Sequence, residues 1–423
     1  MTPQDHAAEG ASTTDARVIM SSGASEDSEW APALIASRTA VVALKSAGGL
    51  EAWGMPAAYA GAEAYASSPS IHGMVANEAA FAGIASSSSN SVVAFGARGH
   101  GNNVDDDAQC NGFSHQLSAN VTRIFASAGA FTAIKEDGSV YCWGNKHAGA
   151  GDHGVSSESV PELANVIYVA ATRTAFAALL RSGAVVTWGS KYSGGDSSSV
   201  ASDIRADVAY LIASMSCFVA FKKDGSIVVW GLEESGGDAS TVSAQLQSEV
   251  AFVAHTAQAF AALKKNGTVV TWGDSGRGGD SSAVQHALQN ISTIYSNTFA
   301  FAAVTMDGGV VAWGESASGG SIPSALVDSL SANVTAIYST HRAFAALKDD
   351  GELIVWGNAY QGGDAGEAAQ YLTSGVKLVC GNDVAFTAIK DDGTAVVWGH
   401  STSIPYPGLL NGAPNLVNVT TCF

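Results

Sequence analysis

Hydrophobic and polar positions alternate along this chain in short runs that recur at a nearly constant interval. The segment AFAALKKNGTVVTWG at 259–273 is repeated as AFTAIKEDGSVYCWG, AFAALLRSGAVVTWG, CFVAFKKDGSIVVWG, AFAAVTMDGGVVAWG, AFAALKDDGELIVWG and AFTAIKDDGTAVVWG. Two weaker copies end at Gly54 and Gly96. The aromatic residue before the closing glycine falls at Trp53, Phe95, Trp143, Trp188, Trp230, Trp272, Trp313, Trp356 and Trp398. The sequence therefore contains nine repeats of roughly 42 residues.

Each repeat predicts a three-stranded meander. The runs AFAAL and VVTW are rich in residues that favour strands, and Asp-Gly, Asn-Gly or Ser-Gly joins them. These dipeptides supply the positive φ that a tight hairpin requires. About seven residues upstream lies a third apolar run, for example around Val169 and Val253. We therefore expect at least three antiparallel strands in each repeat.

The segment after each Trp-Gly pair has a different period. A turn of the type GGDSS is followed by apolar residues four apart, such as Val200, Ile204 and Val208. This spacing is typical of one or two helical turns, and the preceding Asp or Ser can accept hydrogen bonds from the free N–H groups at their start. Short helical turns are thus predicted between the meanders.

A meander that is apolar on both faces must be covered by its neighbours, and radial stacking of such units gives a β-propeller. The pattern of a strand, AFAAL, Asp-Gly, VVxWG and a glycine-rich turn resembles the regulator of chromosome condensation repeat, a superfamily that includes the bacterial β-lactamase inhibitor protein II. The resemblance extends from about Ala31 to the C-terminus. It implies an all-β propeller of regulator-of-chromosome-condensation-like repeats. Propellers of that family have seven blades, so the nine repeats leave the blade count between seven and nine.

The chain departs from the family pattern in two places. The His that the family places before the second strand is replaced by Ala343, Ala259 or Cys217, and the usual Gly-Gln-Leu-Gly turn is replaced by Gly-Gly-Asp, as at 194–196. Residues 1–28 are predicted to be a disordered acidic leader, and 29–423 to be the repeat propeller. Because VTTCF at 419–423 aligns with VTAIY at 334–338, the chain ends on a strand that could close a ring. An open array or a fragment of a longer repeat protein is the alternative.

Charge narrows the classes of partner. Twenty Lys and Arg against 38 Asp and Glu give a net charge of −18, which argues against nucleic acid and favours a basic protein partner. No apolar run approaches the roughly 20 residues of a membrane helix, so no membrane association is expected. The five cysteines are scattered and the N-terminus resembles no secretory signal. We expect a cytoplasmic protein, with the nucleus as the alternative.

The sequence contains no catalytic motif. HExxH, GxSxG, GxxxxGK[ST] and CxxC are all absent, so we expect no enzyme, no catalytic residue and no cofactor. Cys110 with His115, and Cys142 with His147, repeat a spacing that zinc could use. Since Cys142 occupies a third-strand position that other repeats fill with Thr, Val or Ala, a packed core thiol is the better interpretation, and no metal site is predicted.

Candidate binding residues follow from the topology of a meander, in which the loop after the first strand and the loop after the third strand emerge on the same face. These loops vary from repeat to repeat, and variable loops on a rigid scaffold commonly bind partners. Neutral variation of exposed loops is the alternative. The candidate partner-binding residues are Arg38, Arg173, Met215, Gln258, Asn297, Arg342 and Asp383 before the second strand, and Tyr192, Arg277 and Tyr360 after Trp-Gly.

These observations predict a non-enzymatic protein–protein interaction scaffold that presents variable loops on one face of a propeller. The family resemblance permits two alternatives. One is guanine-nucleotide exchange on a small GTPase, which works through protein contacts and needs no local motif. The other is a substrate-recruiting module linked to ubiquitin ligation. The expected partner is a protein, either basic in character or a small GTPase.

Overall fold

The computed structural model describes residues 34–410 apart from 39, 45–48, 68–69, 87–88, 103–112, 152–154, 157–158 and 401–407. The predicted leader at 1–28 and the predicted closing strand at 419–423 lie outside these residues. Within the described residues the chain forms nine antiparallel sheets, one for each sequence repeat. The predicted all-β repeat architecture is therefore confirmed, with nine sheets.

The strands follow chain order, and neighbours in sequence are neighbours in each sheet. The first five sheets are β1 (Leu34–Ala36), β2 (Ala40–Leu44), β3 (Leu50–Gly54); β4 (Ile71–Ala76), β5 (Ala80–Ala85), β6 (Ser91–Gly96); β7 (Val121–Ala126), β8 (Ala130–Lys135), β9 (Val140–Gly144); β10 (Val166–Ala171), β11 (Ala175–Leu180), β12 (Val185–Gly189); and β13 (Val208–Ala213), β14 (Cys217–Lys222), β15 (Ile227–Gly231). The last four are β16 (Val250–His255), β17 (Ala259–Lys264), β18 (Val269–Gly273); β19 (Ile291–Ser296), β20 (Ala300–Thr305), β21 (Val310–Gly314); β22 (Val334–Ser339), β23 (Ala343–Lys348), β24 (Leu353–Gly357); and β25 (Val376–Gly381), β26 (Ala385–Lys390), β27 (Ala395–Gly399), β28 (Gly408–Leu410). The fourth strand of the last sheet, β28, pairs with β27.

The second strand of each sheet is an unbroken apolar run because both of its faces are covered. In β11, Ala175, Ala177 and Leu179 pack against the following sheet. Phe176 and Ala178 on the same strand pack against the preceding one. Continuous rather than alternating hydrophobicity is what a strand buried on both faces requires. The small alanines bring the sheets close together and the phenylalanines fill the space between them.

The chain divides into two compact units, Met1–Glu233 and Glu234–Phe423, called here the N-terminal and C-terminal units. In each unit consecutive sheets share a hydrophobic layer, as neighbouring propeller blades do. The first strands of successive sheets lie beside one another, for example β10 beside β13 and β22 beside β25. The first strand is therefore the inner one, and the loops that follow it gather at one end of the stack.

The third-strand tryptophans pack between neighbouring sheets. Trp143, Trp230 and Trp356 are buried, and each stacks on the phenylalanine of the adjacent second strand at about 5.3 to 5.4 Å between ring centroids. Each indole N–H donates to the carbonyl of a glycine in the turn of the preceding repeat; for Trp356 this is Gly319, at 2.9 Å. The ring thus seals one sheet against the next and satisfies its polar atom there.

The connections after Trp-Gly contain short helical turns, as predicted. They are 3-10 turns, and the third apolar residue of each predicted helical series, such as Val208, opens the next strand instead. Asp196 does accept a hydrogen bond from the Ser198 N–H at 2.9 Å, as expected of a capping residue. The helices are one short α-helix, Ser114–Leu117, and 3-10 segments at Pro56–Tyr59, Ala62–Tyr65, Lys146–Ala148, Lys191–Ser193, Ser198–Val200, Glu233–Ser235, Ser240–Leu246, Ser275–Arg277, Ser316–Ser318, Ser324–Leu326, Ala359–Gln361 and Gly366–Tyr371.

The Gly-Gly-Asp turn needs both of its glycines. Gly194 has φ +84°, and a Cβ there would lie 2.6 Å from the Phe218 ring. A Cβ on Gly195 would lie 2.5 Å from the backbone of Gly189. The turn is therefore fixed by a left-handed residue followed by a close approach of two backbone segments.

Asn directly precedes four of the described first strands, and this recurrence has a backbone cause. Asn120, Asn290 and Asn333 adopt left-handed φ values of 60°, 54° and 67°. Asn tolerates this conformation better than other residues with a Cβ. The repeated Asn-Val/Ile-Ser/Thr sequence therefore marks a turn that the fold needs.

The described cysteines differ in their surroundings. Cys142 and Cys217 are buried thiols, whereas Cys380 on β25 is disulfide-bonded. Across the described residues, none of the helices has the length and apolar character needed to cross a membrane.

Candidate functional site

The loops between the first and second strands are three-residue turns, called here hub loops. Their first residue is Ser, Thr or Asn, and its side chain caps the turn. In the loop at 172–174, the Ala175 N–H donates to Thr172 Oγ1 at 3.1 Å. The same hydroxyl donates to the Ser193 carbonyl, in the turn after Trp-Gly, at 2.9 Å. The two kinds of loop that the sequence placed on one face are thus bonded to each other, and together they form the hub face of each unit.

Backbone hydrogen bonds also connect the hub loops of neighbouring sheets. In each case the N–H of the middle residue of one loop donates to the carbonyl of the middle residue of the next. This continuity makes the hub face a rigid platform rather than a set of independent loops. The bonds are Glu78 to Ala128 (3.1 Å), Ala128 to Arg173 (3.0 Å) and Arg173 to Met215 (2.9 Å) in the N-terminal unit, and Ala257 to Thr298 (3.0 Å) and His341 to Asp383 (3.2 Å) in the C-terminal unit.

In the N-terminal unit three hub loops bring together two arginines and one carboxylate. Glu78 Oε1 lies 3.0 Å from Arg173 Nη2 and 3.4 Å from Arg38 Nη2. The glutamate side chain is 24% exposed, and the arginine side chains are about half exposed. One acceptor oxygen therefore bridges two guanidinium groups that belong to different sheets.

In the C-terminal unit a phenylalanine takes the place of the bridging carboxylate. The guanidinium carbon of Arg277 lies 4.2 Å above the Phe299 ring centroid, and that of Arg342 lies 4.0 Å from it. Arg342 Nη1 also lies 3.2 Å from Glu315 Oε2. His341 packs edge-on against the ring at 5.1 Å between centroids. Cation–π contacts of this kind orient the guanidinium groups and are strongest where water is excluded.

The turns after Trp-Gly present large side chains to solvent. Tyr192 is 66% exposed and Tyr360 is 77% exposed, each in the middle of its 3-10 segment. Met55, which directly follows the first Trp-Gly pair, is 58% exposed. Side chains of this size are seldom left so open, and aromatic residues on a rigid turn are typical anchors of protein interfaces.

The remaining predicted residues contribute mainly through their backbone. The carbonyls of Met215 and Asp383 accept hub-loop hydrogen bonds, and that of half-buried Gln258 accepts from the Asp274 N–H at 2.9 Å. Asn297 is buried, and its amide donates to the Ser318 carbonyl at 2.7 Å. Its side-chain oxygen accepts from the N–H of Phe299 and of Ala300. Asn297 is thus a turn cap whose polar atoms are occupied within the fold, and we leave it out of the binding surface.

Sequence reasoning missed Glu78, Phe299, Glu315 and His341. A signal for Phe299 was available: the third hub-loop residue is Thr39, Ala79, Gly129, Thr174, Ser216, Gln258, Phe299, Arg342 or Val384, with one aromatic in the series. Glu78, Glu315 and His341 carry no such signal. Their roles depend on neighbours 27 to 95 residues away or on the adjacent hub loop.

Cys142 is a packed core thiol, as its position in the repeat indicated. Its sulfur lies 3.2 Å from Thr132 Oγ1 in the interior, and burial raises the pKa of the thiol to about 12. A thiol that keeps its proton is a poor metal ligand. Among the described residues no three His, Cys, Asp or Glu side chains are grouped as metal ligands would be. Cys110 and His153 lie outside the described residues.

The hairpin ends of the N-terminal unit hold a cavity of about 410 Å³ between the third and fourth sheets. Arg123, Lys135 and Arg181 line it together with Glu136 and Asp137. Charges of both signs face the same space, and the hairpins that form it are the most repetitive part of the chain. These residues therefore serve below as controls for the hub face.

Comparison with known proteins places structures of RCC1 among those similar to this chain. Prp20p of Saccharomyces cerevisiae, whose structure was described together with its binding properties to Gsp1p and histones, is 17% identical over 70% of this chain and 74% of its own, with a TM-score of 0.35. The CRINKLY WD40 ectodomain of the Arabidopsis thaliana receptor kinase ACR4 is 16% identical over 69% of this chain and 96% of its own, with a TM-score of 0.35. The computationally designed Ika8 protein is 14% identical over 88% of this chain and 98% of its own, with a TM-score of 0.33. No family model matches the chain, and neither does any curated protein.

Proposed function

We propose that this protein is a non-enzymatic scaffold that binds a protein partner through its hub face. The observation that carries the proposal is the pairing of rigidity with exposure on that face. Backbone bonds such as Arg173 N–H to the Met215 carbonyl fix the loops, while Tyr192 and Tyr360 project from the adjoining turns with most of their surface open. Ordering loops on binding costs free energy, and a preformed platform avoids that cost.

The kinds of side chain on the hub face support a protein as the ligand. Interfaces between proteins are enriched in tyrosine, arginine and methionine, and truncation of tyrosine or arginine often causes the largest losses of affinity. The hub face of the N-terminal unit carries Tyr192 with Arg38 and Arg173, and that of the C-terminal unit carries Tyr360 with Arg277 and Arg342. A carboxylate or a ring lies between the arginines of each pair, so they do not form the continuous basic stripe that a nucleic acid backbone requires.

Affinity capture tests this proposal. The purified full chain is immobilised, partners are captured from native extract, and the capture is repeated with Tyr192→Ser plus Tyr360→Ser. Because both tyrosines are largely exposed, the double variant should fold normally and lose at least 90% of the captured partner. The matched control is Arg123→Gln plus Arg181→Gln at the hairpin ends, which should retain it. Capture that survives the tyrosine changes and disappears in the hairpin control would overturn the proposal.

The same experiment separates the scaffold from the two alternatives that the family resemblance permits. A captured small GTPase whose nucleotide release is accelerated by the full chain would assign exchange activity. A captured ubiquitin ligase subunit, with ubiquitylation of a third protein that depends on the full chain, would assign substrate recruitment. A scaffold gives neither result.

A further inference from the structure

The Phe299 ring is the centre of an unusual cluster in the C-terminal unit. The ring is only 8% exposed, yet two guanidinium carbons lie within about 4 Å of its centroid. Two guanidinium groups cannot share one face of a ring at that distance, so Arg277 covers one face and Arg342 the other. His341 occupies part of the edge, held by a 2.9 Å hydrogen bond between its Nδ1 and Thr298 Oγ1. The two arginines are therefore fixed in orientation before any ligand arrives.

Stacking occupies the faces of a guanidinium group but leaves its donors free, because all five N–H bonds lie in its plane. Arg342 uses one terminal nitrogen on Glu315. Among the described residues, the Arg277 side chain has no carboxylate or carbonyl acceptor, and it contacts the Phe299 ring instead. Two carboxylates lie near in the chain or the hub, Asp274 and Asp383, and within this part of the structure neither contacts a guanidinium group. The cluster thus holds an oriented set of unused hydrogen-bond donors.

We propose that the cluster of Arg277, Phe299 and Arg342 binds a carboxylate side chain from an acidic segment of the protein partner. This inference rests on the proposed function and names the chemistry of its ligand. An oriented guanidinium fork matches the two oxygens of a carboxylate, and such bidentate pairs are stronger than single hydrogen bonds. A long polyanion suits the site less well, since Glu315, Asp274 and Asp383 would repel its neighbouring charges. A single carboxylate avoids that repulsion.

The test measures fluorescence anisotropy of a fluorescein-labelled, C-terminally amidated glycine-serine peptide that carries a single glutamate, titrated with the full chain. The same peptide with glutamine is the uncharged control, and a phosphoserine peptide is the third probe. We expect the glutamate peptide to bind and the glutamine peptide not to. Arg277→Gln should weaken binding at least tenfold, and Arg342→Gln should weaken it at least threefold. Arg277→Lys should still lose about fivefold, because it retains the charge but not the fork.

The matched control is Lys265→Gln, which removes one exposed positive charge at a hairpin end of the same unit and should change binding less than twofold. Far-ultraviolet circular dichroism and the urea midpoint establish that each variant is folded. The inference is overturned if the glutamate peptide does not bind the wild type, if Lys265→Gln weakens it as much as Arg277→Gln, or if the phosphoserine peptide binds tenfold more tightly.

Failure of this inference and failure of the proposed function are distinguishable. If protein capture depends on Tyr192 and Tyr360 but the affinity for the peptide is unchanged in Arg277→Gln, the scaffold proposal is supported and the carboxylate site is rejected. If the affinity for the peptide drops in Arg277→Gln but capture is unchanged when Tyr192 and Tyr360 are replaced, the carboxylate site is supported and the scaffold proposal is rejected.

Discussion

Each unit of this protein holds a pair of arginines on its hub face, and the two pairs differ in what lies between them. In the N-terminal unit a carboxylate, Glu78, binds both Arg38 and Arg173. In the C-terminal unit a phenyl ring separates Arg277 from Arg342. Glu78 accepts one N–H from each arginine and compensates part of their charge, whereas the ring orients its two arginines without accepting an N–H from either. Arginines at similar positions in the two units thus differ in how available they are to a ligand.

The largest effect that this comparison predicts is the loss of stability when Phe299 is replaced. Phe299→Ala should lower the free energy of unfolding by about 3 kcal/mol, because a buried ring is replaced by a cavity and both arginines lose their platform. Phe299→Leu keeps most of the buried volume and should cost about 1 kcal/mol. Urea denaturation followed by tryptophan fluorescence measures both. Equal losses in the two variants would show that the retained volume of leucine gives no protection, which would contradict this expectation.

Removal of the Glu78 carboxylate should make Arg38 and Arg173 more available to a ligand. Glu78→Gln removes the negative charge that Arg38 and Arg173 share, at a cost of at most about 1 kcal/mol in stability since both arginines are half exposed. Titration with the glutamate peptide should then reveal a second, weaker binding event. In Glu78→Gln combined with Arg173→Gln that event should disappear. A single event in every variant would contradict the comparison.

A smaller gain should follow in the C-terminal unit when Arg342 loses its ion pair. Glu315→Gln weakens the hydrogen bond from Arg342 and removes a negative charge beside the site. Affinity for the glutamate peptide should rise two- to fivefold, which corresponds to about 0.4 to 1 kcal/mol. Anisotropy at two salt concentrations measures it, and the gain should shrink at higher salt. Glu249→Gln, at an exposed ion pair with Lys265 in the same unit, is the control and should have no effect.

The smallest effect concerns the rigidity of the N-terminal hub. Cys217 directly follows a hub loop; its N–H donates to Ser214 Oγ, and burial raises the pKa of its thiol to about 12. At pH 8 about one native thiol in 10⁴ is ionised, so alkylation should be very slow. Glu78→Gln should leave the rate unchanged within twofold, because backbone bonds rather than the glutamate hold the loop. Acceleration beyond tenfold, measured by peptide mass spectrometry, would show that the ion pair holds it.

Ionisation of the Cys217 thiol also makes the stability of the protein depend on pH. An unfolded thiol has a pKa near 8.5, so the folded state retains a proton that the unfolded state loses above that pH. Stability from this group is therefore complete below about pH 8.5 and declines as pH rises toward 12, by about 1.4 kcal/mol for each pH unit. Cys217→Ala should remove this share of the decline in urea midpoints measured from pH 8 to 11.

Much of the fold was predictable because it depends on local pattern. The period of 42 residues, the Asp-Gly hairpins and the apolar second strands are set by residues close in sequence, and the nine sheets follow them. The short helical turns after Trp-Gly were predicted correctly, but Val208 and its equivalents, which have the right spacing for the same helix, begin the next strand. The loops after the first and third strands were correctly predicted to lie on one face, because both leave a meander at the same end.

The candidate site was predictable only in outline. Arg277 and Arg342 were recognised as variable loop residues, but Phe299 between them was not. Asn297 was included because it also varies, and the structure shows its amide capping a turn. Solvent exposure and hydrogen-bond partners distinguish Arg277 and Arg342 from Asn297. Neither property can be inferred from the sequence of a single repeat.

By itself the sequence determined that this protein is a repeat of β-meanders with one variable face, because strand periodicity, turn residues and repeat length act over short distances. Its net charge of −18 suggested a basic partner. Only the tertiary structure decided where the few positive charges gather and which of them have partners. Arg173 meets Glu78 across 95 residues, and Arg277 and Arg342 meet one ring. Contacts between distant residues depend on how the sheets stack, which is why an acidic chain can carry a site for an acidic ligand.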